Sequence, residues 1–437
     1  MRFYLATLGC PKNVVDSEMM SELLRQARHE PVDEPPRADV LIVNTCAFIQ
    51  SARQESYQVL RELASGKRRG QWLVAAGCLA QRNANEIFHR VPEIDAIIGT
   101  RSWPEIVTVF EHLDPGHNVR HELVKPEGNL VASVRRRATM GSTAYLKIAD
   151  GCDAPCAFCA IPLIKGPQRS KPLADVVREA QELVGDGVRE IVLIAQDTTA
   201  YGRDRSDPEG LPGLLRGVLE TTPRLKWLRI MYTYPQHIQG ELIETMVSYC
   251  QVCHYLDLPL QHGHPDVLRR MRRPSDVGAL YDLIATLRKA MPDIALRSSF
   301  IVGYPGETEV EYEALLDFMK AIAFDRVGIF AYSAEEGTLA SRLPHHVPPE
   351  LTEERYEGAM LVQQEISLSR NRAQLGRELS ILVEGAGDGI SVGRSYRDAP
   401  EIDGLVLLPG EFPVGEFVKA RVVGAKEYDL IGEQVYE

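Results

Sequence analysis

The chain has 437 residues, 44% hydrophobic and 25% charged, and its net charge is −12. This length predicts two or three domains of a soluble globular protein, and the acidic charge argues against dominant nucleic-acid binding and favours a basic partner. The sequence shows neither a secretory leader nor an apolar run long enough to span a membrane, so we expect a cytoplasmic, reducing location, where the eight cysteines are metal ligands or free thiols.

The first predicted domain, residues 1–113, is a Rossmann-like α/β domain with a parallel sheet. Its apolar strands are FYLATLG, VLIVNT and WLVAAG, and helical spacing covers residues 16–28 and 50–66 between them. Each strand ends directly in a cysteine: Cys10, Cys46 and Cys78. Because the carboxyl ends of parallel strands share one sheet edge, we predict that the three thiols converge. The alternative is that they are buried as small apolar side chains.

Residues 114–142 are predicted to form a linker, because they carry Pro, Gly and Asn without a clear period. The run of Arg135, Arg136 and Arg137 is interpreted as a solvated charge run, with contact to a substrate as the alternative.

Six apolar, β-like runs alternate with helical ones through residues 143–348. They are AYLKIA, EIVLIA, WLRIMYTY, YLDLPL, LRSSFIVG and RVGIFAYS. Six βα repeats are fewer than the eight that close a TIM barrel, so the sequence predicts an open (βα)6 partial barrel.

The loop after the first of these strands carries the run GCDAPCAFC, in which Cys152, Cys156 and Cys159 have C-x3-C-x2-C spacing and Phe158 precedes the last cysteine. Three thiolates are one too few for a four-iron cluster, which leaves one iron open to another ligand. A zinc site is the alternative, but zinc sites usually pair two C-x2-C knuckles. The other C-x2-C of this chain, Cys250 and Cys253, lies at a predicted helix end before the fourth barrel strand and is interpreted as structural packing.

The C-terminal part is predicted to begin with a connecting helix, residues 349–371, followed by a small β-barrel of about five strands over residues 372–437. Small barrels of this kind often bind RNA. This one carries seven Lys and Arg against twelve Asp and Glu, a net charge of −5, so recognition of a protein is the better prediction.

The three-cysteine loop resembles that of the radical S-adenosylmethionine (SAM) superfamily, and the whole chain resembles the methylthiotransferases within it. The motifs LGCPKN followed by Asp16, Ser17 and Glu18, NTCAFI around Cys46, and DAPEIDG over residues 398–404 are similar to the RimO-type branch. That branch methylthiolates the β-carbon of an aspartate in small-subunit ribosomal protein S-twelve. The tRNA-modifying, MiaB-like branch usually has GCQMN where this chain has GCPKN at residues 9–13.

The resemblance implies two 4Fe-4S clusters, one held by Cys152, Cys156 and Cys159 for SAM cleavage, and an auxiliary one held by Cys10, Cys46 and Cys78. It also implies a C-terminal TRAM domain, SAM as cosubstrate, an external sulfur source, and a reductant such as flavodoxin or ferredoxin. The candidate SAM contacts are Phe158, Gln196, Asp197, Arg297 and Ser299. The open alternatives are the same reaction on a tRNA adenosine, and a non-catalytic iron-sulfur carrier.

Overall fold

The computed structural model describes residues 1–113, 121–126 and 134–436. Its N-terminal domain is a six-stranded parallel sheet with strand order β2-β1-β3-β4-β5-β6. The elements in chain order are β1 (Arg2–Thr7), α1 (Pro11–Gln26), β2 (Glu30–Pro31), β3 (Val40–Thr45), α2 (Gln50–Ser65), β4 (Trp72–Gly77), α3 (Cys78–Arg90), β5 (Ala96–Gly99), α4 (Ile106–Glu111) and β6 (His121–Leu123). The central strand β3 is buried along its whole length, which explains its unbroken apolar sequence.

Helix α1 begins at Pro11, five residues earlier than the spacing of apolar residues predicts. Proline suits the first helical position because its missing N–H would have no partner inside the helix and its φ is already helical. Cys10 therefore becomes the N-cap residue of α1.

The predicted linker is only partly a linker. Residues 121–123 form β6 and extend the N-terminal sheet beside β5, while residues 114–120 and 127–133 lie outside the described part of the chain. The solvated interpretation of the arginine run is wrong for Arg136, whose side chain is fully buried between the carboxylates of Glu18 and Glu179. A guanidinium tolerates burial when carboxylates and carbonyls accept its donors, and Arg136 also donates to the carbonyl of Tyr145.

The central domain contains six parallel strands in one sheet with order β14-β13-β12-β11-β10-β7, and its two end strands are not paired with each other. This confirms the open partial barrel. Its elements are β7 (Thr143–Lys147), β8 (Ala149–Asp150), α5 (Ile161–Lys165), β9 (Arg169–Ser170), α6 (Leu173–Gly185), β10 (Glu190–Ile194), α7 (Gly210–Thr221), β11 (Trp227–Ile230), α8 (Gly240–Ser248), β12 (Val252–Asp257), α9 (Pro265–Arg270), α10 (Val277–Ala290), β13 (Ala295–Val302), α11 (Glu309–Ile322) and β14 (Arg326–Ala331).

The N-terminal domain packs against the partial barrel through α1. Val15 and Met19 of α1 belong to one buried apolar cluster with Tyr145, Val192 and Tyr255 of the barrel strands. This shared core places the strand ends of one domain next to those of the other.

A long helix, α12 (Pro349–Arg372), leads to a closed five-stranded barrel with order β15-β16-β17-β19-β18, as predicted. The strands are β15 (Glu378–Gly387), β16 (Ile390–Arg394), β17 (Val406–Pro409), β18 (Phe417–Ala425) and β19 (Leu430–Gln434). Among the helices that the structure describes, none is both long enough and apolar enough to cross a membrane.

Candidate functional site

The three N-terminal cysteines follow neighbouring strands and lie together. Cys10 caps α1, Cys46 directly follows β3, and Cys78 is the first residue of α3. Burial raises the pKa of the Cys46 thiol to about 11, and the nearby Cys10 contributes in the same direction. Burial likewise raises the pKa of Cys78 to about 12, against the opposing influence of Lys165. Because β1, β3 and β4 are adjacent parallel strands, the three cysteines lie at the same edge of the sheet.

A glycine and an asparagine shape the pocket around this triad. Gly9 has φ +89°, and a Cβ there would lie 2.6 Å from Cβ and 2.8 Å from Sγ of Cys46. The side-chain amide of Asn13 donates to the carbonyls of Leu8 (2.7 Å) and Thr45 (3.1 Å), which ties the loop after β1 to the end of β3. Only glycine leaves room at residue 9 for the side chain of Cys46.

The second triad lies on the loop after β8. Cys152 donates its backbone N–H to the carbonyl of Gly166 (3.1 Å), and the N–H of Cys159 donates to the carbonyl of Cys156 (3.2 Å). Two further backbone N–H groups point at sulfur, from Ala154 to Cys152 Sγ and from Ile161 to Cys159 Sγ, both at 3.4 Å. Such N–H groups favour the thiolate over the thiol, which is the form that binds metal.

Arg273 approaches the same triad from the segment that follows α9. Its Nη1 lies 3.7 Å from Sγ of Cys156, and its guanidinium stacks 4.1 Å from the ring centroid of Tyr234. The sequence pattern gave no indication of this contact, because Arg273 is 117 residues from Cys156 in the chain. A fixed cation beside the thiols lowers the electrostatic cost of gathering three thiolates.

Both triads fit an iron-sulfur cluster. Soft thiolate ligands select such clusters, and each triad supplies three of them. Burial raises the pKa of Cys152 to about 11 and that of Cys159 to about 12, so these thiols are protonated near neutral pH until metal displaces the proton.

Gln196 and Asp197 follow β10 at the edge that carries the barrel triad. The Gln196 amide donates to Asp150 (3.0 Å), whereas its buried Oε1 has no hydrogen-bond partner among the described residues. Asp197 accepts from Thr199 Oγ1 (2.6 Å) and pairs with Nδ1 of His237 (2.9 Å). Gln196 thus keeps a free acceptor for a ligand, while Asp197 holds the turn that follows the strand.

The remaining candidates lie on β13 and beside Cys159. Arg297 Nη1 donates to Asp257 (2.9 Å) and lies 3.4 Å from Ser299 Oγ, which places the pair at the end of β12. Phe158 is half-buried and packs with the apolar cluster that contains Ala157 and Tyr304. Phe158 therefore anchors the cysteine loop.

A buried network of four charges joins the two domains beside the triads. Lys147 of β7 bonds to Asp16 of α1 and to Asp150 (3.1 Å), and Lys165 of α5 bonds to Asp150 (3.0 Å) and lies 3.4 Å from Asp16. All four side chains are at most 3% exposed. Asp16 belongs to the N-terminal motif, yet its partners are more than a hundred residues away, which the sequence alone does not reveal.

Lys12 lies in the same region, in the first turn of α1. Burial lowers its pKa to about 8, against the opposing influence of Cys10 and Asp257. Its ammonium sits 3.0 Å above the ring centroid of Tyr232, a residue that follows β11 with φ 59°.

Three family models match successive parts of the chain. The model described as Uncharacterized protein family UPF0004 matches residues 2–99, the Radical SAM superfamily matches residues 146–319, and the TRAM domain matches residues 375–435. The superfamily match spans the barrel strands and includes the loop that carries Cys152, Cys156 and Cys159.

Curated relatives match over the full length. A protein of Chloroflexus aurantiacus named ribosomal protein uS12 methylthiotransferase RimO is 49% identical over 453 residues, covering 99% of each chain. A protein of the same name from Symbiobacterium thermophilum is 47% identical and covers 98% of this chain and 90% of its own.

Solved structures share the fold at low identity. The radical SAM methyltransferase TsrM of Kitasatospora setae, solved with cobalamin and a [4Fe-4S] cluster, has a TM-score of 0.58 at 14% identity and covers 84% of this chain and 88% of its own. The cobalamin-dependent radical SAM enzyme OxsB has a TM-score of 0.54 at 12% identity, over 83% of this chain and 56% of its own. With full-length relatives near half identity and all three domains matched, the chain belongs to the RimO family of radical SAM methylthiotransferases.

Proposed function

We propose that this enzyme inserts a methylthio group at the β-carbon of an aspartate in ribosomal protein uS12, using SAM and two [4Fe-4S] clusters. The observation that carries the proposal is the pair of cysteine triads on adjoining domains, each with three thiols and therefore one open iron. A carrier of a single cluster needs only one such site. The name shared by the full-length relatives supports the choice of substrate.

The two triads divide the work. Cys152, Cys156 and Cys159 hold the cluster that binds SAM, and Cys10, Cys46 and Cys78 hold the auxiliary cluster. When bound, these groups supply a carbon radical by SAM cleavage and the sulfur that is methylated and transferred. This chemistry is needed because no protein base near neutral pH can take a proton from an unactivated carbon.

The remaining residues position the reactants. The free Oε1 of Gln196 is an acceptor for the amino group of SAM, beside the cysteine loop that Phe158 anchors. Arg297 and Ser299 offer donors to a SAM carboxylate from β13, and Asp197 fixes the turn after β10. These side chains hold the cofactor's reactive carbon against its target and keep competing reactants away.

The reaction consumes two SAM molecules, one as methyl donor and one as radical source, with an external sulfur source and a reductant such as flavodoxin or ferredoxin. Its proposed substrate belongs to the small ribosomal subunit, so we infer that the enzyme acts in the cytoplasm. The net charge of −5 on the C-terminal barrel favours a basic protein partner over tRNA.

The test is a product assay under anaerobic, reducing conditions. Reconstituted enzyme with SAM and a sulfide source should add about 46 Da, one SCH3 replacing one hydrogen, to uS12 or to a peptide of its target loop. The same enzyme should leave tRNA unmodified. Methylthioadenosine in tRNA, with no mass shift on uS12, would assign the chain to the tRNA-modifying reaction instead.

A further inference from the structure

Lys12 differs from the other buried lysines. Among the described residues four lysines are buried, and three of them, Lys147, Lys165 and Lys171, each contact a carboxylate within 3.1 Å or less. Lys12 is 6% exposed, and its ammonium has no carboxylate within ion-pair distance in that part of the chain. Its only close partner there is the face of the Tyr232 ring. A largely buried ammonium without a paired carboxylate is costly, and the Lys12 Nζ is not among the fully buried atoms that lack a partner in the described part of the chain, so it can pair with an anion from outside the chain.

The acidic groups near Lys12 are already engaged. Asp257 accepts from Arg297 Nη1 (2.9 Å) with one oxygen and from the backbone N–H of Tyr232 (3.0 Å) with the other. Asp150 accepts from Lys147, Lys165 and Gln196. Both carboxylates already accept hydrogen bonds from other donors, so the N–H groups of the Lys12 ammonium remain available to another acceptor.

Lys12 lies between the auxiliary triad and the catalytic face of the barrel. It lies two residues after Cys10, on the helix that Cys10 caps, and it faces Tyr232 at the carboxyl end of β11. Tyr232 has φ 59°, a conformation that is rare for a bulky side chain and that persists where the surrounding structure enforces it. The ammonium is thus held at the boundary between the auxiliary triad and the catalytic face of the barrel.

We propose that Lys12 binds the side-chain carboxylate of the target aspartate and is the residue that selects an acidic substrate. This inference rests on the proposed function. The β-carbon of aspartate is bonded directly to the carboxylate carbon, so an ion pair at Lys12 fixes the carbon that reacts. An adenine base carries no such anion.

The charge of Lys12 and the charge of the target side chain can be varied separately. Target-loop peptides with aspartate or asparagine are titrated into reconstituted, unreduced enzyme with SAM, so that binding is measured without turnover. The wild type should bind the aspartate peptide about 30-fold or more tightly than the asparagine peptide, because a buried charge pair that loses one member costs at least about 2 kcal/mol. In Lys12→Met the affinities for the two peptides should differ by no more than about threefold. Lys12→Arg should restore part of the preference for aspartate. Lys419→Met, a change at an exposed lysine, is the control and should show the preference of the wild type.

Two results would overturn the assignment. One is a Lys12→Met variant that discriminates between the peptides as the wild type does, which would make Lys12 a counter-ion of the cluster and not of the substrate. The other is a wild type that binds and modifies both peptides equally. Iron content and SAM cleavage are measured in every variant. If Lys12→Met loses iron, the role of Lys12 is judged from the peptide preference of Lys12→Gln and from the preference of the wild type.

The same data separate this inference from the proposed function. If the wild type modifies uS12 but Lys12→Met keeps the preference, only the role of Lys12 fails. If the wild type modifies no form of uS12, the proposed function is wrong, and so is the proposed role of Lys12.

Discussion

The carboxylate of Asp403 lies 3.4 Å from Nε of Arg297, although the first residue belongs to the loop between β16 and β17 and the second to barrel strand β13. Tyr255 on β12 donates its hydroxyl to the same carboxylate (2.7 Å), and Tyr145 on β7 donates to Glu401 (2.9 Å). The DAPEIDG segment is therefore inserted among the side chains that line the partial barrel. The C-terminal barrel stabilises the site domain and is not merely attached to it.

Replacing Asp403 should loosen this insertion. In Asp403→Ala, Arg297 and Tyr255 lose a buried partner, and we expect the free energy of unfolding to fall by about 3 kcal/mol. Denaturant unfolding of the apoprotein measures it, with the exposed Glu378→Ala, which also pairs with cations, as the control. Equal and small effects of both changes would mean that the Asp403 contact contributes nothing to stability.

A methyl group at residue 9 should prevent the auxiliary cluster from binding. The Cβ of Gly9→Ala would lie 2.8 Å from Sγ of Cys46, so that thiol must move. Iron content should fall from about eight to about four per chain while SAM cleavage persists. Gly70→Ala is the matched control, because Gly70 also has positive φ (+81°) but no atom within 4 Å of its Cβ position. Loss of iron in both variants would show that strain at a positive φ, and not contact with Cys46, causes the effect.

Replacing one cysteine triad should have a different effect on the reaction from replacing the other. Changing Cys152, Cys156 and Cys159 to Ala should leave about four irons and abolish formation of 5'-deoxyadenosine. Changing Cys10, Cys46 and Cys78 to Ala should keep 5'-deoxyadenosine and eliminate the methylthiolated product. Should 5'-deoxyadenosine disappear in the second variant with the barrel cluster spectroscopically intact, the division of labour would be wrong.

Acid should weaken the contact between the C-terminal barrel and β10. Burial alone would raise the pKa of Glu190, but Arg394 (2.6 Å) and Arg229 (2.8 Å) outweigh it and hold the pKa at about 2. Because this lies below the value of about 4.3 for an unfolded chain, the stabilisation is complete above that pH and is lost as the pH falls towards 2. Unfolding free energies of wild type and Glu190→Gln from pH 6 to pH 2 should converge on acidification, and parallel curves would exclude the linkage.

The sequence predicted the parts of the fold that depend on local pattern. Apolar runs that end in cysteine predicted parallel strands with a common edge, and Cys10, Cys46 and Cys78 follow three adjacent strands at that edge. The count of βα repeats predicted the open barrel. These predictions succeeded because hydrophobic periodicity and parallel-sheet geometry are properties of neighbouring residues.

What the sequence could not predict depends on pairing across the chain. The burial of Arg136 required Glu18 and Glu179, which are 118 and 43 residues away. That Lys12 contacts the ring of Tyr232 and pairs with no carboxylate of the described residues is visible only once the positions of those carboxylates are known. A charge run looks the same in sequence whether it faces water or a buried carboxylate.

Mass spectrometry of the organism's own uS12 tests the proposed reaction most directly. In a strain that lacks this gene, uS12 should be lighter by about 46 Da at a single aspartate than in the parent strain. Wild-type protein should restore the modification, whereas variants of either cysteine triad should not. A uS12 of unchanged mass in the deletion strain, or loss of a methylthio group from tRNA instead, would show that this enzyme does not methylthiolate uS12.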